Sequence, residues 1–477
     1  MSMTDPGTRA MPAGMLTYQQ LLDSDSRPVP ETLRRVGETD IGPTTVPVAR
    51  YLDRRYHELE KEHLWSKVWQ VACRADQLER IGDTAVYDIA DRSYLLVRAR
   101  EDGPDGTSGI LAFPNACLHR GRALRDGPGR VDELQCSFHG FCWSLRGRLK
   151  RIPSAWDFPH VVPDEWELPR LRVDTWGGFV FVNPDPDCEP LRDFLGVLPK
   201  LFERWPLDRR YVRAHVTKRI RSNWKLVQEA FMESYHVITT HPQLLTGFGD
   251  ANSQYDVFGN VARAISPRGV ASPLLAWEPT EQEMLDSALD RRIDDPVILE
   301  VGEDATARRT LADSARQALR AVLGEAADEL CDAEAADSYF LNVFPNIHPW
   351  GGYNQIFYRF RPDGDDHEAC LMEVMLLGPY AGERPDPAPE VRLGAEDHWR
   401  DATEQLGSLA RVFDQDEFNL EAVQKGLRST WRGHVTLSRY QELKVRHFHQ
   451  LYQRWVIDLS GIESAQSVEP PPQPARP

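Results

Sequence analysis

Residues 115–140 read NACLHRGRALRDGPGRVDELQCSFHG and place two matched pairs in a short span: Cys117-Leu-His119, then sixteen residues, then Cys136-Ser-Phe-His139. Two soft thiolates and two imidazoles suit a [2Fe–2S] cluster in which two His replace two Cys on one iron. The thiolates would hold one iron and the neutral imidazoles the other. Gly121, Gly127, Gly129, Gly140 and Gly147, with Pro128, supply the sharp turns such loops require. Zinc is the rival metal, since two Cys and two His also suit it. Zinc modules usually open with C-x2–4-C, however, and C-x-H is not that spacing. Cys142 beside the second loop reads as a packing residue. Cys73, Cys188, Cys331 and Cys370 show no metal spacing.

Around this stretch, from about Gln70 to Pro184, TAVYDIA, YLLVRAR, ILAFPNA and GGFVFVNP are β-type segments split by Gly, Asp and Pro, which predicts an all-β module. A charged helical stretch, Leu52 to about Trp69, leads into it. Residues 1–45, rich in Pro, Gly, Thr and Ser, read as a flexible arm. After the turn at 184–190 the texture is mixed. A helix-like run covers Asn223 to Thr240. The acidic region 250–335 holds one amphipathic helix on Leu311, Ala315, Leu319 and Val322 and is expected to lie over a cavity entrance. A hairpin-like pair follows, then helices from Trp399 to Lys425 and Ser438 to Trp455. The Pro-rich residues 464–477 read as a disordered tail.

The whole chain has 477 residues, 41% of them hydrophobic, with a formal net charge of −17. That composition supports a sizeable core and argues against a general nucleic-acid or anionic-membrane binder. No apolar run approaches the ~18 residues of a membrane span. Met1 to Met15 lacks an apolar core, so a signal peptide is not expected and a cytoplasmic location is. Seven cysteines do not make a disulfide scaffold.

A second set of ligands is offered by His236-Val-Ile-Thr-Thr-His241-Pro242. On an ideal helix His236 and His241 would point about 140° apart. Pro242 pushes His241 out of the helical region, and Thr239 and Thr240 weaken the last turn, so His241 can swing back toward His236. Two converging imidazoles and one carboxylate make the facial triad of a non-haem Fe(II) oxygenase. The carboxylate must come from elsewhere: Asp416 is the first candidate, with Asp414 and Glu417 close rivals on spacing alone.

Taken together, C-x-H…C-x-x-H, NWK…E-x-x-H-x4-H-P and Q-D-x4-E-x-x-Q resemble the catalytic α subunits of Rieske non-haem iron oxygenases, over about Leu52 to Trp455. The resemblance implies an α+β chain: an all-β Rieske [2Fe–2S] domain with its leading helix over 46–185, and a mononuclear-iron catalytic domain over 186–463. The latter would be helix-grip-like, a curved antiparallel sheet around a hydrophobic cavity closed by a long C-terminal helix. It implies Cys117, His119, Cys136 and His139 as cluster ligands, and His236, His241 and Asp416 as iron ligands, Asp416 being preferred because its spacing to Glu421 and Gln424 fits the family pattern. Glu233 takes the place of the acid that joins the first iron His to a cluster His of a neighbouring subunit, in a homotrimer. Glu stands there where many members have Asp. Glu229 stands where some carry Asn, its role open. Phe141-Cys142-Trp143 replaces a Trp directly after Gly140.

The implied reaction is mono- or dioxygenation with O2: hydroxylation or cis-dihydroxylation of a largely apolar, aromatic or polycyclic substrate. Oxidative demethylation on the same scaffold is the alternative, and an electron carrier without oxygen chemistry the more remote one. The chain lacks a G-x-G-x-x-G after a strand, so electrons from NAD(P)H need a separate reductase, with or without a ferredoxin. Between Asn115 and Arg151 lie eight basic and three acidic residues, a patch that could dock an acidic donor or simply brace the loops. Phe344, Ile347, Trp350, Tyr353, Ile356, Phe357, Met372, Val374 and Leu376, with Phe231 and Leu244, are the expected cavity residues.

Overall fold

The computed structural model describes residues 15–103, 108–289 and 299–461. The tail expected over 464–477 and the first part of the arm lie outside them. Residues 15–45 correct the expectation of a flexible arm. A capping box of Thr17 and Gln20 opens α1 (Tyr18–Leu22). α2 (Glu31–Arg34) follows, and β1 (Thr45–Pro47) pairs with residues 434–436. Apolar side chains are sparse there, but Tyr18, Leu22 and Leu33 are all in the main core, and the Tyr18 hydroxyl donates to Asp337 at 2.8 Å. The turn-rich composition reflects short elements joined by bends.

The leading helix comes in pieces. α3 (Ala49–Leu52) stops at Asp53, whose carboxylate caps α4 (Arg54–Leu59), and a π turn over Glu60–Leu64 ends the run before Trp69. That turn buries Glu60. Its carboxylate accepts from Trp224 Nε1 at 2.8 Å and Tyr452 OH at 2.7 Å, and pairs with Lys225, both partners being essentially inaccessible. Burial pulls the Lys225 ammonium below its ordinary range. Removing one partner leaves the other charge buried and alone. Lys225→Met is therefore expected to lower stability by about 3–5 kcal/mol, read as the shift of the denaturant midpoint.

Among its described residues the β module has ten strands: β2 (Gln70–Arg74), β3 (Asp83–Ile89), β4 (Arg92–Arg98), β5 (Ile110–Pro114), β6 (Gly129–Arg130), β7 (Leu134–Gln135), β8 (Cys142–Trp143), β9 (Leu149–Arg151), β10 (Arg172–Trp176) and β11 (Phe179–Asn183). They form three antiparallel sheets, ordered β5-β4-β3-β6, β7-β8-β9 and β10-β11-β2. After the short α5 (Leu191–Leu195) and α6 (Leu198–Leu201) comes one large sheet. Its strands are β12 (Arg210–Ile220), β13 (Gln254–Phe258), β14 (Val261–Ser266), β15 (Ser338–Val343), β16 (Ile347–Pro349), β17 (Ile356–Asp363), β18 (Asp366–Pro379) and β19 (Glu390–Leu393). The order is β13-β14-β15-β16-β17-β18-β12-β19, antiparallel except for β12 with β19.

Alternation along β17 gives this sheet two roles. Ile356 and Tyr358 face the cavity, while Phe357 stacks on Phe179 of the β module, with ring centroids 4.3 Å apart. The neighbouring Arg359 pairs with Glu373 and donates to the carbonyls of Val71 and Ala72 at 2.6 and 3.0 Å. The β module is thus fastened to the back of the catalytic sheet.

The helices lie on the other face. The run expected over Asn223–Thr240 is two helices, α7 (Trp224–Ala230) and α8 (Val237–Thr240), with a turn between them. The 250–335 region is not simply a cover, because it contributes β13 and β14 to the sheet. Among its described residues, Arg268, the end of α9 (Glu281–Ala288) and Leu289 reach the cavity, while α10 (Ala307–Leu323) and α11 (Asp332–Ala336) pack together beside it. After α12 (Thr403–Leu406), α13 (Leu409–Leu427) is the long helix that carries Asp416. It is not the last: β20 (His434–Thr436) and α14 (Leu443–Tyr452) follow.

Candidate functional site

The two cluster loops are built alike. In each, the Gly four residues after the Cys donates its N–H to the Cys carbonyl: Gly121 to Cys117 at 2.8 Å, Gly140 to Cys136 at 3.0 Å. In each, the Cys N–H is taken by the carbonyl five residues on: Arg122 and Phe141, both at 2.8 Å. Both glycines sit at φ 76°, where a side chain would be strained. The twin turns bring the Cys117 and Cys136 thiols to face each other in a core of Leu95, Val97, Phe113, Leu134 and Trp143. Burial, with the facing thiol as a further cause, raises the Cys117 thiol.

The two imidazoles lie 4.7 Å apart between centroids. His119 Nδ1 is buried and has no hydrogen-bond partner, which in a polar group calls for a ligand. A [2Fe–2S] cluster fits this donor set. Phe141 stacks on the His119 ring at 4.7 Å and 11°, so the aromatic change after Gly140 acts on packing around the cluster site. His139 and Phe138 are exposed at the tip. In the basic patch, Arg122 pairs with Asp126, Arg130 with Asp83, and Lys150 and Arg151 with Glu133. Among the described residues, Arg146 and Arg148 are exposed and pair with no carboxylate.

The second site lies where α8 meets α13. His236 precedes α8 and His241 ends it, leaving the helix with φ −125° and ψ 54° before Pro242. Asp416 Oδ1 lies 2.8 Å from His241 Nε2 and 3.5 Å from His236 Nε2, and the three ligand atoms are all within 4.8 Å of one another. Neighbouring ligands around one ion, each at about 2.0–2.2 Å, stand about 3 Å apart, so the arrangement suits a divalent metal. The rivals are otherwise engaged: Asp414 binds the Trp399 N–H and Arg400, and Glu417 pairs with Lys218.

Each imidazole has its far nitrogen held. Glu233 Oε1 accepts from His236 Nδ1 at 2.6 Å and its other oxygen accepts the His236 N–H at 3.0 Å. Gln415 Oε1 accepts from His241 Nδ1 at 3.0 Å. Both Nε2 atoms are thereby turned inward. Burial works against charge on His236, but Glu233 and then Asp416 outweigh it and lift its imidazole to about 9. Gln415 opens the Q-D-x4-E-x-x-Q motif, but the sequence reading gave it no role.

Glu229 lies apart from the triad. Its carboxyl takes the Tyr51 hydroxyl at 3.1 Å and His449 Nε2 at 2.8 Å, and burial pushes it up to about 8. A carboxyl raised in the folded state keeps a proton that the unfolded chain has lost, so stability falls as pH rises from the ordinary carboxylate range to about 8. Glu229→Gln is expected to flatten that fall, read as a higher melting temperature than wild type at pH 8 and near equality at pH 4.5.

The triad opens into a cavity of about 510 Å³. Its inner wall is a box of linked rings: Phe231, Phe340, Trp350, Tyr358 and Phe413. Of the expected residues, Phe231, Leu244, Trp350, Tyr353, Ile356 and Leu376 line it. Phe344, Ile347, Phe357, Met372 and Val374 do not and are buried in the core. Phe357 points to the opposite face of the sheet, and α7 packs on β18, the strand that carries Met372 and Val374.

Residues 202–458 match the family model of the ring hydroxylating alpha subunit (catalytic domain), and residues 68–162 that of the Rieske [2Fe-2S] domain. The carnitine monooxygenase oxygenase subunit of Escherichia coli K12 is 30% identical over 210 residues, 43% of this chain and 54% of that protein. Chlorobenzene dioxygenase subunit alpha of Cupriavidus sp. PS12 is 30% identical over 198 residues, 40% of this chain and 42% of that one. The chain therefore spans about half the length of the curated relatives it matches. Among solved structures, a quaternary ammonium Rieske monooxygenase superposes with TM-score 0.60 at 18% identity, covering 88% of this chain and 97% of that one. Naphthalene 1,2-dioxygenase does so with TM-score 0.60 at 17% identity, covering 88% and 93%. These structural likenesses speak to the fold. Among the described residues no helix is long and apolar enough to cross a membrane.

Proposed function

The chain belongs to the family of ring-hydroxylating α subunits, and on that premise we propose that it is the oxygenase component of a multicomponent Rieske system. The observation that carries this reading is the convergence of His236, His241 and Asp416 on the wall of an aromatic cavity, in a chain whose β module also offers two Cys and two His on twin loops. Bound iron would supply O2 activation at the triad, and the cluster single electrons. The protein's own part is to orient the two imidazoles through Glu233 and Gln415 and to hold the substrate among the rings.

For the substrate, the demethylation-type alternative is favoured over a neutral arene. Linked aromatic faces attract a cationic ammonium group. Relatives named for carnitine, glycine betaine and choline support this. Hydroxylating a carbon bound to the ammonium nitrogen takes one O2, two electrons and two protons, and releases one water. The product then breaks at the C–N bond into a carbonyl compound and an amine. The electrons come from an NAD(P)H-dependent reductase, directly or through a ferredoxin, docking by the exposed Arg146 and Arg148. A homotrimer in which His139 of a second copy approaches Glu233 completes the reading.

The test is a panel of quaternary ammonium compounds and arenes, with a surrogate reductase and ¹⁸O2. Substrate-dependent NADH oxidation with ¹⁸O-labelled carbonyl product and free amine is expected from the ammonium compounds. Labelled phenols or diols from arenes alone would restore the aromatic reading. Absence of labelled product from every compound, with both metal sites filled, would reject the oxygenase.

A further inference from the structure

Two adjacent residues of one helix grip the two nitrogens of one imidazole. On α13, Asp416 Oδ1 lies 2.8 Å from His241 Nε2, and Gln415 Oε1 lies 3.0 Å from His241 Nδ1. The ring is inserted between neighbouring side chains, so a single turn of helix sets its position and its tilt. Gln415 is in turn fixed by Gln243, two residues beyond His241, whose amide N–H donates to the same Oε1 at 2.7 Å. Asn419, one turn further along α13, reaches Thr240 Oγ1 at 3.2 Å and the Gln415 carbonyl at 3.4 Å, tying the end of α8 to the same helix.

We propose that Gln415, braced by Gln243, is the positioning residue that fixes the His241 ring and keeps its Nε2 free for the metal. Because Gln415 Oε1 accepts two N–H bonds, only an acceptor fits opposite His241 Nδ1, so that nitrogen carries the hydrogen and Nε2 carries the lone pair. The two imidazoles are consequently supported differently. His236 leans on a carboxylate, which strengthens it as a donor, and His241 leans on a neutral amide, which orients it without adding charge. Glu233 and Gln415, outside the ligand set, would thus offer a metal held there one electron-rich and one ordinary imidazole.

This inference rests on the triad being the metal site, and the test separates the two. Full-length protein, freed of triad metal with its cluster retained, is titrated with Co²⁺, following ligand-field absorption, alongside Gln415→Leu, Gln415→Glu, Gln243→Leu and His236→Ala. Gln415→Leu is expected to weaken Co²⁺ binding about 10–100-fold. Gln415→Glu, which restores an acceptor with a charge, is expected to bind at least as tightly as wild type and to shift the ligand-field bands. Gln243→Leu is expected to lose a few-fold.

Binding of Co²⁺ by Gln415→Leu within twofold of wild type overturns the proposal. So does Gln415→Glu binding as weakly as Gln415→Leu, since loss of packing alone would not be rescued by the acceptor. Should Gln415→Leu not fold, Gln415→Glu and Gln243→Leu decide: both unchanged in affinity and spectrum overturns it. Failure of wild type to bind Co²⁺ any better than His236→Ala would instead sink the metal site itself.

Discussion

Alanine in place of His236 or His241 is expected to abolish oxygenase turnover while leaving the protein folded and coloured. Either change removes one of the three ligands proposed for the iron, and the remaining imidazole and Asp416 would not hold the ion against water. Neither residue contributes to the twin loops of the β module, so the cluster and its visible spectrum should persist. Iron analysis should then show the cluster's two irons and not the third. A variant that still oxidised substrate with O2, or that lost its cluster along with the triad iron, would contradict the two-site reading. Asp416→Ala should behave alike, whereas Asp414→Ala should keep full iron occupancy, because Asp414 is committed to the Trp399 N–H and Arg400.

Glu233→Gln is the second large effect, and of a different kind. Glu233 holds His236 by both ring and backbone, and its side chain keeps about 10% of its surface accessible. Gln retains an acceptor for Nδ1 but removes the negative charge that would receive a second imidazole from another copy. Iron occupancy and cluster spectrum are expected to stay near wild type, while turnover falls about 100-fold. Stopped-flow mixing of the fully reduced protein with substrate and O2 should show the cluster reoxidising that much more slowly. Reoxidation at the wild-type rate would remove Glu233 from the electron path. Glu233→Asp, one methylene shorter, is expected to fall between the two.

Much of the site was legible because its chemistry is local. The C-x-H and C-x-x-H pairs lie on short loops whose glycines are fixed by the sequence itself, and Pro242 announces that His241 leaves its helix. The choice among Asp414, Asp416 and Glu417 could not be made from residue type, since on a helix Asp416 points about 160° from Asp414 and about 100° from Glu417, and only the approach of α8 selects one. Gln415 escaped for the same reason: a neutral amide becomes informative only once an imidazole is set against it. The cavity was half legible. Alternation told that Ile356 and Phe357 face opposite ways, but not which face held the cavity, and the β module behind the sheet decided that. The arm over 15–45 misled because four or five well-placed apolar side chains outweigh a turn-rich composition once a core exists to receive them.

The paired loops that carry Cys117 and Cys136 have a kinetic consequence. Each is a closed ring of backbone hydrogen bonds with a left-handed glycine at the same step, and the thiols are sealed in apolar packing. A cage so tied has little freedom to relax when one electron arrives or leaves. The work of rearrangement that accompanies each redox change should therefore be small on this side of the junction, so that in the proposed trimer the pace of electron flow would be set at the contact of Glu233 with its incoming imidazole.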